Sequence, residues 1–127
     1  MENWVKDIPR NAIKYAKGNI QLTIHVLLEN QEDFYIAHCL ECDLTADGAT
    51  PKEAQENIID SIRDHVDFCI EKGNFDKIIG HAPQEYWDKL LHSHQLKRFE
   101  FPAPPNKSPN FDYPIKEVDI YEVIRHA

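Results

Sequence analysis

Residues 20–73 read IQLTIHVLLENQEDFYIAHCLECDLTADGATPKEAQENIIDSIRDHVDFCIEKG, and this segment carries the clearest strand and helix patterns of the chain. Apolar and polar residues alternate over residues 20–28, which is the pattern of a β-strand with one buried face. The polar residues 29–33 have the length of a hairpin loop, and the strand pattern resumes over residues 34–40. The sequence therefore predicts two strands that pair antiparallel.

A third strand and a long helix are predicted next. The strand covers residues 44–49 and is weakened by its glycine. Thr50 is a helix-capping residue, Pro51 suits the first helical turn, and Glu53 is expected to reach back to the amide of the capping residue. Gly73 marks the predicted end of the helix. An apolar stripe predicts that one helix face packs on the sheet, and it consists of Ala54, Ile58, Ile62, Val66 and Cys69.

The patterns outside this stretch are weaker and add short elements on both sides. The predicted elements are a helix over residues 11–16, a strand over residues 75–79, a helix over residues 83–92, a strand over residues 96–101, a proline-rich connector over residues 102–109 and a final strand over residues 115–124. The sequence thus predicts an α+β fold in a single domain over residues 1–127. Residues 20–80 form its core, and residues 81–127 form a C-terminal α/β extension.

The net charge of −8 is concentrated in the middle of the chain. Residues 29–76 carry thirteen acidic and three basic residues, which gives this segment a charge of −10. An acidic segment repels the phosphates of nucleic acids and attracts a basic partner at long range. The simpler explanation is a solvated face that keeps the protein soluble.

Composition also predicts the compartment. The sequence has no run of about 18 apolar residues that would span a membrane, and its first residues lack the pattern of a secretory leader. Three cysteines, an odd number, fit a reducing environment better than a disulfide framework. We therefore expect a cytoplasmic protein that does not engage membranes.

Cys39 and Cys42 form a single Cys-x-x-Cys pair. A structural zinc site commonly needs a second pair, and a redox pair commonly opens a helix, so ordinary thiols at a strand end are predicted. No spacing among the remaining candidate ligands has a built-in metal geometry, and these are His38, His81, His92 and His94. We expect no metal site and no cofactor.

Four carboxylates could approach one another in a small sheet–helix unit, as those of a divalent-metal nuclease do. They are Asp33, Asp43, Asp47 and Glu53. Acids at loops and helix starts also serve solubility and capping, which is the favoured explanation here. No catalytic residue is therefore predicted.

Residues 35–59 resemble the HicB family of antitoxins and their solitary relatives. That family shows a strand with tyrosine, alanine and a cysteine-like position, a polar segment with glycine, and threonine-proline-x-glutamate-alanine at the start of a helix. The matching positions are Tyr35, Ala37, His38, Cys39, Asp47, Gly48, Thr50, Pro51, Glu53, Ala54 and Asn57. The resemblance extends over about residues 20–72 of the printed sequence.

The HicB resemblance implies a small antiparallel β-β-β-α-β sheet of partial ribonuclease-H-like shape, with an amphipathic helix on one face and usually an oligomeric assembly. In toxin–antitoxin members this unit binds a small basic ribonuclease toxin and blocks its catalytic histidine. A C-terminal ribbon-helix-helix or helix-turn-helix usually binds operator DNA. Residues 74–127 show neither pattern, so DNA binding is not expected here.

Taken together, charge and resemblance predict a non-enzymatic, HicB-like protein that binds a small basic, toxin-like protein through an acidic surface. The residues assigned to this surface are Glu32, Asp33, Glu41, Asp43 and Asp47. Homo-oligomerisation through a sheet edge is also predicted. The alternatives are a solitary oligomerising module without a toxin, and a small divalent-metal-dependent nuclease or hydrolase that uses Asp43 and Asp47.

Overall fold

A computed structural model describes residues 13–16, 19–102 and 113–124 of the chain. Its strands are β1 (Ile13–Ala16), β2 (Asn19–Asn30), β3 (Tyr35–Cys39), β4 (Leu44–Gly48), β5 (Ser93–Glu100) and β6 (Ile115–Val123). Its helices are α1 (Pro51–Glu71) and α2 (Gln84–Leu91), and a short 3-10 helix spans Phe75–Lys77. The predicted α+β class is confirmed.

The strands form one mixed sheet in the order β4-β3-β2-β6-β5, and β1 pairs with β2 outside this path. Every pairing is antiparallel except that of β2 with β6, which is parallel. The predicted antiparallel pairing is confirmed for β2, β3 and β4, and the parallel pairing of β6 with β2 makes the whole sheet mixed. Because β6 lies directly beside β2, the predicted C-terminal extension shares a sheet with the predicted core.

One face of the sheet packs against α1 and forms the main hydrophobic core. The sheet contributes alternate residues from its central strands, which are Leu22, Ile24, Val26, Leu28, Ala37, Cys39, Val118 and Ile120. The helix contributes the predicted stripe of Ala54, Ile58, Ile62, Val66 and Cys69, which is buried as expected. Each fully buried aliphatic side chain of this kind stabilises the fold by about 1.5–3 kcal/mol.

The start of α1 is fastened to the end of β4. The Thr50 hydroxyl accepts a hydrogen bond from the Glu53 amide at 3.1 Å, which confirms the predicted cap. The Glu53 carboxylate accepts from the Ala49 amide at 2.8 Å, one residue before the amide predicted for it. A Cβ on Gly48 would overlap the backbone of Glu53 and Ala54, so glycine is what lets strand and helix meet this closely.

Three short elements differ from the predictions. The chain over Ile13–Ala16 is a strand rather than a helix, because it folds back antiparallel on the start of β2. Residues 75–77 form a 3-10 helix instead of the predicted strand. Only Ile78 is buried within residues 75–79, so this segment lacks the alternating burial of a strand. Strand β2 continues to Asn30, so the hairpin loop consists of residues 31–34.

The other short elements agree with the predictions where they are described. Helix α2 and strand β5 fall within or around the predicted ranges, and β6 matches the predicted final strand. Residues 11–12 and most of the proline-rich connector, residues 103–109, lie outside the described residues.

Candidate functional site

The face of the sheet opposite α1 carries a groove whose floor is set by strand register. Glu29 of β2 lies opposite Ile36 of β3, which in turn lies opposite Asp47 of β4. Opposite residues of paired strands point to the same face, and the neighbouring Leu28 and Ala37 point into the α1 core. The two acids therefore flank an apolar residue in one row, on strands about 10 Å apart.

Helix α2 forms one wall of this groove, and the hairpin loop borders it. Tyr86 and Lys89 of α2 line the groove together with Phe34 of the loop, whose side chain is 39% exposed. The open space measures about 480 Å³. Ligand-binding pockets commonly measure about 300–1,000 Å³, so the space is large enough to receive several groups of a partner. We call it the sheet groove.

The wall is held in place by the chain just before α2. The Ala82 amide donates to the Leu40 carbonyl and the His81 amide donates to the Glu41 carbonyl, both at 2.9 Å. Trp87 is buried against Leu40 and Ala82, and its indole N–H donates to the Ala82 carbonyl at 3.0 Å. Because these contacts tie α2 to the turn after β3, the sheet groove is formed before any partner arrives.

The charges in the sheet groove are only partly neutralised. The Lys89 ammonium lies 3.3 Å from both carboxylate oxygens of Glu29 and 5.3 Å from the centre of the Tyr86 ring. The Asp47 side chain is exposed and forms no ion pair with any residue that the structure describes. Its backbone carbonyl accepts from the Asn57 side chain at 2.8 Å, which orients this end of β4. One carboxylate of the groove thus remains available to an external cation.

Four of the five acids predicted as a partner surface are exposed, but they do not form one cluster. Glu32 and Asp33 lie on the hairpin loop beside the sheet groove, and Asp47 lies in the groove. Asp43 lies before the first residue of β4, about 13 Å from Asp47 by strand geometry. Its carboxylate bonds the His38 ring at 2.8 Å.

The prediction for Glu41 is wrong, because this residue is fully buried with 0% of its surface exposed. Its carboxylate accepts from the His25 amide at 2.7 Å and bonds the His25 ring nitrogen Nδ1 at 2.6 Å. The other ring nitrogen, Nε2, lies 3.7 Å from Asp119. Arg98 holds Asp119 by two hydrogen bonds, of which the one from Nη2 measures 2.8 Å.

These four side chains form a line of alternating charge across the sheet, from Arg98 through Asp119 and His25 to Glu41. Asp119 lies opposite both His25 and Arg98 in the strand register, and we call this set the buried charge row, although the Arg98 side chain at its end is 52% exposed. Burial by itself lowers the pKa of His25. The hydrogen bond to Glu41 and the charges of Glu41 and Asp119 outweigh burial, so the pKa of His25 is raised above its usual value.

Sequence reasoning named a single member of each region, Asp47 and Glu41, but did not indicate the regions themselves. His25 and Asp119 occupy regular polar positions of alternating strands, so the sequence gives them no distinguishing local signal. No sequence pattern indicates that β2 and β6 are neighbours, or that α2 packs on the sheet face opposite α1. Ile36, Tyr86 and Lys89 therefore could not be assigned to a common site.

The cysteines and Glu53, which were considered as metal ligands or catalytic groups, occupy structural positions. Cys39 and Cys42 are buried free thiols, and burial together with the hydrogen bond to Cys42 raises the pKa of Cys39 well above its usual value. Glu53, one of the four acids considered for a nuclease, caps α1. Within the described ranges, no three His, Cys, Asp or Glu side chains gather closely enough to hold a metal ion.

None of the described helices combines the length and the apolar character needed to cross a membrane.

No protein-family model, no curated protein and no solved structure matches this chain.

Proposed function

We propose that this chain is a non-enzymatic, HicB-like binding module whose sheet groove takes a basic segment of a partner protein. The observation that carries the proposal is the exposed Asp47 carboxylate in a preformed groove, beside the apolar Ile36 and the aromatic Phe34 and Tyr86. A carboxylate beside apolar and aromatic groups suits an arginine or lysine, whose aliphatic stem packs while its charged end is neutralised.

The long-range electrostatic field of the acidic segment also favours a basic partner. Residues 29–76 carry a charge of −10, and Glu32 and Asp33 extend the acidic surface next to the sheet groove. Such a field speeds association with a basic protein more than it tightens the final complex. The HicB resemblance adds that the partner is a small basic toxin-like protein and that both act in the cytoplasm. This assignment is more specific than the groove proposal and rests on the HicB resemblance.

Self-association through β5 is the other part of the proposal. This strand lies at the end of the sheet path, and Leu96 is 45% exposed where the register with β6 shifts. Lys97 and Arg98 oppose uncontrolled edge pairing, so a specific antiparallel dimer is expected rather than aggregation. Light scattering should give about twice the chain mass of 14.8 kDa. A monomer mass at high concentration would contradict it.

The groove proposal is tested with a fluorescent peptide in which arginine alternates with valine. Its affinity is measured by anisotropy for the wild-type protein, for Asp47→Lys and for Asp64→Lys. Asp64 is exposed on α1 and forms no ion pair with another described residue, so the control carries the same charge change away from the groove. We expect the Kd of the peptide for Asp47→Lys to be about tenfold higher than its Kd for Asp64→Lys, which is the effect of one well-placed charge.

Two results would overturn the proposal. In the first, a peptide with glutamate in place of arginine binds the wild-type protein equally well. In the second, Asp47→Lys and Asp64→Lys weaken binding to the same extent, which would assign the effect to net charge rather than to the sheet groove.

A further inference from the structure

Lys89 sits in the sheet groove in a position that an external cation would fit. Its ammonium faces both oxygens of Glu29 at 3.3 Å, while a charge-assisted hydrogen bond is usually about 2.7–2.9 Å long. Its side chain is 39% exposed, and the Glu29 side chain is 23% exposed. The contact is therefore a long, partly solvent-exposed ion pair that can open without unfolding α2.

The surroundings of Lys89 would hold an arginine better than they hold this lysine. Glu29 offers two carboxylate oxygens, and the Tyr86 ring lies 5.3 Å from the Lys89 ammonium. A guanidinium matches a carboxylate with two parallel hydrogen bonds and stacks on an aromatic ring, whereas an ammonium acts as a point charge. The same row of the sheet presents a second acid, Asp47, on the other side of Ile36.

We propose that Lys89 occupies, in the free protein, the position that a partner's arginine takes in the complex, and that it leaves Glu29 when the partner binds. This inference rests on the proposed function. The free protein then keeps the groove partly neutralised and excludes weakly bound cations. A partner segment with two cationic side chains reaches Glu29 and Asp47 together, with an apolar side chain between them against Ile36. A segment with one cation gains only Asp47.

The test uses the arginine–valine peptide and the full chain carrying Lys89→Met. Removal of the competing ammonium should tighten binding about two- to fivefold, which is what an exposed ion pair contributes. Lys52→Met is the matched control, because Lys52 is exposed in the first turn of α1 and the change in net charge is the same. Lys89→Arg keeps the charge, pairs better with Glu29 and should weaken binding.

A second variant separates displacement from a general charge effect. In a Glu29→Gln background Lys89 has lost its carboxylate partner. Lys89→Met should then increase the affinity for the peptide no more than Lys52→Met does. Circular dichroism melting curves verify that each variant retains α2 and the fold.

The possible failures are distinguishable. If the peptide binds and responds to Asp47→Lys but Lys89→Met equals Lys52→Met, the displacement by arginine is wrong and the groove proposal stands. If Asp47→Lys and Asp64→Lys weaken the binding of the peptide equally, the groove proposal itself fails, whatever the effect of Lys89→Met.

Discussion

The buried charge row and the sheet groove lie on the same face of the sheet, and their β2 members, His25 and Glu29, are four residues apart. Both contain two carboxylates, yet Glu41 and Asp119 are 0% and 1% exposed whereas Asp47 is exposed. Every carboxylate of the buried row has a cationic or amide partner, while Asp47 has no ion pair within the described part of the chain. Burial and pairing, not residue type, therefore separate a structural acid from one available for binding.

The difference follows from the cost of removing charges from water. A buried charge must be paired and hydrogen-bonded, and removal of one partner leaves the other unpaired in a medium of low polarity. An exposed carboxylate is solvated already, so its loss costs the fold little. The two regions should accordingly respond to substitution in opposite ways, one in stability and the other in binding.

The largest effect is expected for Glu41→Gln. This change removes the charge that faces His25 and should lower the free energy of unfolding by about 3 kcal/mol or more. Urea unfolding measures it against Glu56→Gln, an exposed position on α1 that should change stability by less than about 0.5 kcal/mol. Equal midpoints for the two variants would mean that the buried charge row does not stabilise the sheet.

The pH dependence of stability is the second expectation. The pKa of His25 is raised above its ordinary value of 6.5, because Glu41 and Asp119 outweigh the effects of burial and of Arg98. The folded state therefore binds this proton more tightly than the unfolded state. The contribution of the charged ring is fully present below pH 6.5 and is lost as pH rises through the folded-state pKa.

Urea unfolding at a series of pH values measures this loss. The decline above pH 6.5 should be weaker in His25→Gln, which has no proton to release. A ring NMR titration of His25 in the wild-type protein should show a midpoint above 6.5. A midpoint below that value would contradict the assigned direction.

The smallest change in stability is expected for Asp47→Asn. The side chain is exposed and unpaired among the described residues, so the free energy of unfolding should change by less than about 0.5 kcal/mol. The same variant should still lose affinity for the arginine–valine peptide. A destabilisation as large as that of Glu41→Gln would show that Asp47 supports the fold and would remove the contrast between the two regions.

Local chemistry was sufficient to predict the elements that depend on neighbouring residues. The Thr50 cap, the stripe on α1 and the period-two strands all follow from spacing along the chain, and all are present. Most positions that carry the HicB resemblance have structural roles of this kind. Gly48 allows the close approach to α1, and Asn57 bonds the Asp47 carbonyl.

The rest depends on contacts between distant parts of the chain. Glu41 and Glu32 look alike in the sequence, since both are acids between predicted strands. Only the position of His25 opposite the turn after β3 turns Glu41 inward. The parallel pairing of β6 with β2 and the docking of α2 on the open face are equally nonlocal, so neither region could be assembled from periodicity.

The most direct test of the binding claim is an amide NMR titration of the wild-type protein with the arginine–valine peptide. We expect the shifted resonances to belong to the sheet groove, with Glu29, Ile36, Asp47 and Lys89 among them, while Asp60 and Asp64 on α1 stay unchanged. Shifts concentrated at Asp60 and Asp64, with the groove resonances unmoved, would contradict it.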